Sequence, residues 1–309
     1  MNVPILYLVF NRPDLVRLSF ELIREQKPKY LYIAGDGPRS NHETDEIKCK
    51  EVRSYIKKNI DWNCTIRTLF RDENLGCGMA VSQAITWFFN QVEHGIILED
   101  DCLPDRSFFK FSEELLEKYQ EDKRVYQIAG SNWQKGNIRG QGDYYFSAIS
   151  SVWGWATWRD RWENYKYKID VSGSSWKKIK NNISRISSSK LETNYHLNCF
   201  EKTQKGYIDT WDYQWRYLLF LKQALSVVPN INLITNVGHR EDATHTTSSE
   251  HWRANLNTGK LTFPLTHPVE VKQNKKADKF LSDHIWLAGK VKKKKSFLSN
   301  IKNMLPLPD

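Results

Sequence analysis

Gly95-Ile96-Ile97-Leu98-Glu99-Asp100-Asp101 is the stretch that decides the fold of this chain. Its first four residues make a short apolar run, the size of a fully buried strand. Three adjacent carboxylates follow without a break, and at that spacing they repel one another. A divalent cation is one remedy. One or two carboxylates at a strand end, with positions left for diphosphate oxygens, suit Mg2+ or Mn2+. The competing reading is a solvated acidic turn leading into the next helix, with Asp105 as its cap.

The pattern on either side settles what kind of strand this is. Val3–Phe10 reads as a buried strand, and Pro13 opens a helix to about Gln26 with Asn11 or Arg12 near its cap. Tyr30–Ala34 is a second strand, closed by the breaker run Gly35-Asp36-Gly37-Pro38. A helix over Glu43–Lys58, a strand over Cys64–Phe70 and a loop at Asp72–Gly78 follow, the loop opening a helix to about Val92. After the acidic stretch come a helix over Ser107–Tyr119 and a strand over Val125–Ala129. Apolar strands alternating with helices predict an α/β fold, with a Rossmann-like, mostly parallel sheet covered on both faces. Ligands of such sheets sit beyond the carboxyl ends of the strands. Asn11–Asp14, Gly35–Arg39 and Glu99–Pro104 should therefore share one rim.

Beyond Gly130 the alternation breaks. Tyr144–Ser150 reads as a strand, and Gly154–Tyr165 as a Trp-rich helix. The Ser-, Lys- and Asn-rich run 171–190 reads as an excursion from the sheet. Helices are predicted over Glu192–Thr203 and Thr210–Leu221, and short strands over Ser226–Pro229 and Asn232–Val237. Gly238–His251 is polar and reads as a mobile loop. The division drawn from this is a first half (1–130), a second half of the same domain (131–270), and a basic helical tail (271–309).

Composition narrows the classes. With 309 residues, 40% hydrophobic and 27% charged, the chain is globular and large enough to fold without disulfide or metal staples. Five cysteines, with no C-x-x-C pair, disfavour zinc knuckles and point to a reducing compartment. No apolar run approaches the roughly 18 residues of a membrane span, and the first residues lack a secretory pattern. Of the net charge of +10, ten Lys and three Asp between Lys272 and Asp309 account for +7. The excess belongs to the tail rather than to a nucleic-acid groove. Lys290 and Lys292–Lys295, followed by Phe297, Leu298, Ile301 and Leu305, fit an anionic membrane surface or a solvated tail.

A second group of residues bears on chemistry. In Trp211-Asp212-Tyr213-Gln214-Trp215, Asp212 falls in the first turn of a predicted helix, where the dipole favours a carboxylate. Beside aromatic walls it is a candidate general base, or simply a helix cap next to core tryptophans. His239, His245 and His251 are six apart, which is no zinc spacing. His239 and His245 are candidates to meet a phosphate or metal from a closing loop. Trp133, Trp153 and Trp155 are candidate sugar platforms, with core packing as the alternative.

Taken in order, Asn11-Arg12-Pro13, Gly35-Asp36-Gly37-Pro38-Arg39, Asn74-Leu75-Gly76-Cys77-Gly78, Ile96–Cys102, Gly154–Trp158 and Trp211-Asp212 resemble a bacterial GT-A glycosyltransferase. The related type is the inverting N-acetylglucosaminyltransferase I, whose Glu-Asp-Asp serves as a DXD-type motif. The resemblance spans about Val3 to His245. It implies Asp101 as the metal-ligating carboxylate for Mn2+ or Mg2+. It puts Glu99 and Asp100 near ribose and donor-sugar hydroxyls, Arg12 and Asp36 at the uracil, Trp211 at the donor site, and Asp212 as the base. Asn11 and Tyr213 stand where that family carries Asp.

The resulting expectation is metal-dependent inverting transfer from a nucleotide-sugar donor to a glycan or lipid-linked glycan, without nucleic acid. The enzyme would be cytoplasmic, with the tail able to rest on the inner face of the membrane. A sugar nucleotidyltransferase is the rival enzyme. It would normally carry a glycine-rich basic loop after the first strand, which Asn11–Asp14 is not. A noncatalytic basic nucleic-acid binder is the remaining alternative.

Overall fold

The computed structural model describes residues 1–149, 151–239 and 252–286. In chain order its elements are β1 (Ile5–Val9), α1 (Pro13–Gln26), β2 (Tyr30–Gly35), α2 (Asp45–Asn59), β3 (Thr65–Phe70), α3 (Gly76–Phe89) and β4 (His94–Glu99). These are followed by β5 (Cys102–Pro104), α4 (Arg106–Lys118), β6 (Val125–Ala129), β7 (Tyr144–Ser147), β8 (Trp155–Trp158), α5 (Arg159–Trp162) and α6 (Gly173–Ile186). The series ends with α7 (Lys190–Gln204), α8 (Asp212–Lys222), β9 (Leu225–Pro229), β10 (Ile234–Asn236), α9 (Lys275–Leu281) and a π-helical turn, Ser282–Trp286.

Eight strands form one sheet in the order β3-β2-β1-β4-β8-β6-β9-β7. Six run in one direction, while β8 and β7 oppose their neighbours. β5 and β10 pair separately as an antiparallel ribbon. One apolar cluster joins the sheet to α1, α2 and α4 through Phe20, Val52 and Phe108. The other joins it to α3, α5 and α8 through Phe88, Trp162 and Trp215. The predicted α/β architecture, a mostly parallel sheet with helices on both faces, is what forms.

The second half departs from expectation in one place. Gly154–Tyr165 is not one helix: Trp155–Trp158 is a strand wedged antiparallel between β4 and β6, and only Arg159–Trp162 is helical. The segment obeys a period of two. Trp155 faces the cluster of Trp162, Trp211 and Trp215, whereas Ala156 and Trp158 face the opposite one. Helical spacing would have put Trp155 and Trp158 on one side. The polar run after Val171, expected as an excursion from the sheet, contains α6, whose Trp176, Ile179 and Ile183 recur at helical spacing. Ile179 and Ile183 pack with Tyr217 and Phe220 of α8.

Asp105 does cap α4, its carboxylate accepting from the Ser107 backbone N–H at 2.8 Å. Of the 271–309 segment, α9 and the π-helical turn are described. The lysine run and the apolar residues after it lie outside the described residues.

Candidate active site

Sheet topology brings the three rim loops together. β1 lies between β2 and β4 in parallel register, so their carboxyl ends finish side by side. Beyond those ends is a cavity of about 840 Å³. Its lining includes Arg12, Asp36, Glu99, Asp100, Asp101 and, from α8, Asp212. Trp133 and Trp211 also reach it.

Arg12 neutralises part of the acid triplet. Its guanidinium bonds Asp100 through Nη2, and through Nε at 3.4 Å, and bonds Asp101 through Nη1 at 3.1 Å. Asp100 is 2% exposed and also accepts from the Phe10 backbone N–H at 3.4 Å. Asp101 is more open, at 14%, and its Oδ1 accepts from Asn236 Nδ2 at 3.0 Å. Burial and then the Asp101 charge push the Glu99 carboxyl well above the ordinary range. Arg12 opposes this, while Asp100 and Asp212 add to it. Asp212 is thus within electrostatic reach of the triplet. Among the described residues no cluster of three or more His, Cys, Asp or Glu converges as a ligand set. Any divalent ion would therefore need substrate oxygens and water to complete its shell around Asp101. The donors fit such an ion: they are hard carboxylate oxygens, and they already attract a cationic group.

Asp36, which lines the cavity, is also bonded within the protein. Its carboxylate accepts from the backbone N–H of Gly37 at 3.0 Å, and from Leu75 and Gly76 at 3.1 Å each. It stitches the β2 loop to the amino end of α3, where the helix dipole favours negative charge. A parallel tie holds the β1 loop: Asn11 and Arg39 both bond buried Asp45, at 2.7 Å and 2.6 Å. Burial alone would raise Asp45, but these bonds outweigh it and hold the group at about 2.

Asp212 opens α8. Thr210 Oγ1 donates to its carboxylate, and Arg216, one turn on, stands 3.9 Å away. Trp211 keeps only a 3% exposed edge, its ring stacked on Trp155 at 5.6 Å. Trp155 itself is fully buried, so it is core and offers no face to a sugar. Trp133 does line the cavity, but the Arg253 guanidinium lies 4.8 Å from its ring. His239 is 2% exposed, packed edge-on to Trp153 at 5.2 Å, and is not part of the lining. His245 lies outside the described residues.

The cavity also recruits Arg39, Arg71, Asp209, Arg216, Asn236 and Arg253. Arg216 carried a signal, its i+4 spacing from Asp212. Arg253 and Asn236 carried none, because their place depends on how distant loops return to the rim.

No protein-family model matches the chain, and no curated protein matches it in sequence. Similar solved structures include HddC from Yersinia pseudotuberculosis, at 14% identity over 56% of this chain and 84% of that one, TM-score 0.33. The galactosyltransferase LgtC with donor and acceptor sugar analogs gives 10% identity over 70% of each chain, TM-score 0.34. Apo UDP-glucose pyrophosphorylase gives 9% over 74% of this chain and 90% of that one, TM-score 0.35. At such values the likeness says nothing of this chain's own chemistry.

Proposed function

We propose that the protein is a divalent-metal-dependent, inverting glycosyltransferase that moves a sugar from a nucleoside-diphosphate sugar to a hydroxyl of a glycan or lipid-linked glycan. One observation carries this reading. The acid triplet at the end of β4 and the carboxylate opening α8 face the same cavity, at the rim where parallel sheets bind ligands.

Asp101, with Glu99 and Asp100 beside it, would hold Mn2+ or Mg2+. The ion, when bound, neutralises charge on the departing nucleoside diphosphate. Arg12, bonded to both, holds the Asp100 and Asp101 carboxylates in place. Asp212 accepts the proton of the acceptor hydroxyl as its oxygen bonds to the anomeric carbon. The bond from that carbon to the diphosphate breaks on the opposite face, which inverts the centre without a covalent enzyme intermediate.

Calorimetry with UDP, with and without Mn2+, tests the first half. Uptake that requires Mn2+ and disappears in Asp101→Asn is the expected result. A panel of nucleotide sugars read by diphosphate release tests the second. If no nucleotide is taken up with Mn2+ present, the proposal fails. Formation of nucleoside triphosphate from nucleotide sugar and pyrophosphate would assign the cavity to nucleotidyl transfer instead.

A further inference from the structure

The two oxygens of the Asp101 carboxylate are held from different sides. Oδ2 accepts from Arg12 Nη1, on the loop after β1, at 3.1 Å. Oδ1 accepts from Nδ2 of Asn236, the last residue of β10, at 3.0 Å. Both residues line the cavity beside Asp101. Asn236 is 4% exposed, and both ends of its amide are used, since its own Oδ1 accepts from the Gly238 backbone N–H at 3.0 Å. That second bond decides which end of the amide meets Asp101. A backbone N–H can bond only the carbonyl end, which leaves the NH2 end for the carboxylate.

The backbone that carries Asn236 is fixed as well. Asn236 stands opposite Cys102 in the β5–β10 ribbon. The Val237 N–H donates to the Asp101 carbonyl at 2.9 Å, and the Asn255 N–H donates to the Asn236 carbonyl at 3.1 Å. The amide is therefore set in place by the protein alone.

The two donors differ in charge. A cation approaching Asp101 is repelled by the Arg12 guanidinium. The Asn236 amide is neutral and can keep its bond while an ion binds. An ionised carboxylate has about four acceptor positions, so bonded N–H groups leave others open to a cation. Groups that hydrogen-bond a ligating side chain fix its direction, and losing one typically costs about 10–100-fold in metal affinity.

We infer that Asn236 is the positioning residue of the ion site, holding the Asp101 carboxylate in the direction in which it takes Mn2+ or Mg2+. The inference rests on Asp101 as the metal ligand of the proposed transfer. Asn236 is not itself a ligand, because its carbonyl oxygen is given to Gly238 and its other end is a donor.

The test is calorimetry on the full chain with Mn2+ alone and with Mn2+ plus UDP, alongside thermal melting. Asn236→Leu keeps a side chain of similar shape without the donor, and should weaken Mn2+-dependent UDP binding tenfold or more. Asn236→Asp keeps the acceptor for Gly238 but turns an oxygen towards Asp101. It should melt lower than wild type without metal, bind Mn2+ alone at least threefold more tightly, and recover its melting temperature when Mn2+ is added. A residue that only braces the ribbon would weaken ion uptake in both variants alike, and that result overturns the inference. It is also overturned if Asn236→Leu takes up UDP with Mn2+ as wild type does, which leaves the proposed transfer standing. Should Asn236→Leu fail to fold, the sign of the change in Asn236→Asp decides. If wild-type protein takes up no UDP with Mn2+ present, the proposed transfer fails, and the role of Asn236 fails with it.

Discussion

At the scale of single residues, Asp101 and Asp212 are separable. Asp212 approaches no diphosphate ligand in the proposed transfer, so removing its proton-accepting power should leave donor uptake intact. Asp212→Asn is expected to lower kcat by about 10²–10⁴, the usual contribution of a positioned base, with Mn2+-dependent UDP binding unchanged by calorimetry. Loss of UDP binding would show that the carboxylate holds donor instead. Gly238 supplies a second probe at this scale. A Cβ built there would stand 2.1 Å from Asp101 Oδ2, so the absence of a side chain is what lets that carboxylate keep its position. Gly238→Ala should therefore weaken Mn2+-dependent UDP binding at least tenfold while changing the melting temperature little. It displaces one carboxylate at the cavity wall rather than any part of the core. Unchanged binding would mean that Asp101 tolerates the displacement and is no ligand.

At the scale of elements, the wedge strand β8 organises the second half. It seals β4 against β6 and carries Trp155 to one face and Trp158 to the other. Gly154, which leads into it, has φ +61°, and a Cβ there would meet Ile234 at 2.4 Å. Gly154→Ala combines left-handed strain with overpacking, each costing about 1–2 kcal/mol. Denaturant unfolding should show a loss of roughly 2 kcal/mol or more, and a smaller loss would show that Ile234 simply yields. The first 130 residues were legible because strand-length apolar runs, breakers and helix starts follow one another there without ambiguity. β8 was not. Tryptophans three apart match helical spacing, and only the partners at Ile96 and Ile128 select the strand. The rim was legible for the same reason as the sheet: parallel order places the ends of β1, β2 and β4 together. The protein partners of Arg12 and Asp36 were not, because what a rim side chain bonds within the protein depends on loops that approach from elsewhere. Asp36 meets the amino end of α3, and Arg12 meets the triplet itself.

At the scale of the whole molecule, α9 is anchored back onto the sheet through one buried carboxyl. Asp278 accepts from the Ala148 backbone N–H at 3.0 Å, from Gln273 at 2.7 Å and from the Ser147 hydroxyl. Burial nevertheless outweighs those bonds and pushes the group up to about 6, against 3.8 for an unperturbed Asp. A folded-state pKa above the unfolded one means that the folded protein binds the extra proton. The stabilisation from this group is then fully present below pH 3.8 and is lost as pH rises through 6. Between those limits it amounts to about 3 kcal/mol, at 1.36 kcal/mol per unit. Asp278→Asn cannot ionise. Urea unfolding of wild type and variant at pH 4.5, 5.5, 6.5 and 7.5 should show the stability difference drifting in favour of the variant across the series, by about 2 kcal/mol. Other titrating groups, the acid triplet included, are common to both proteins and largely cancel in that difference. A difference independent of pH would mean that Asp278 stays ionised when folded, with its three donors outweighing burial.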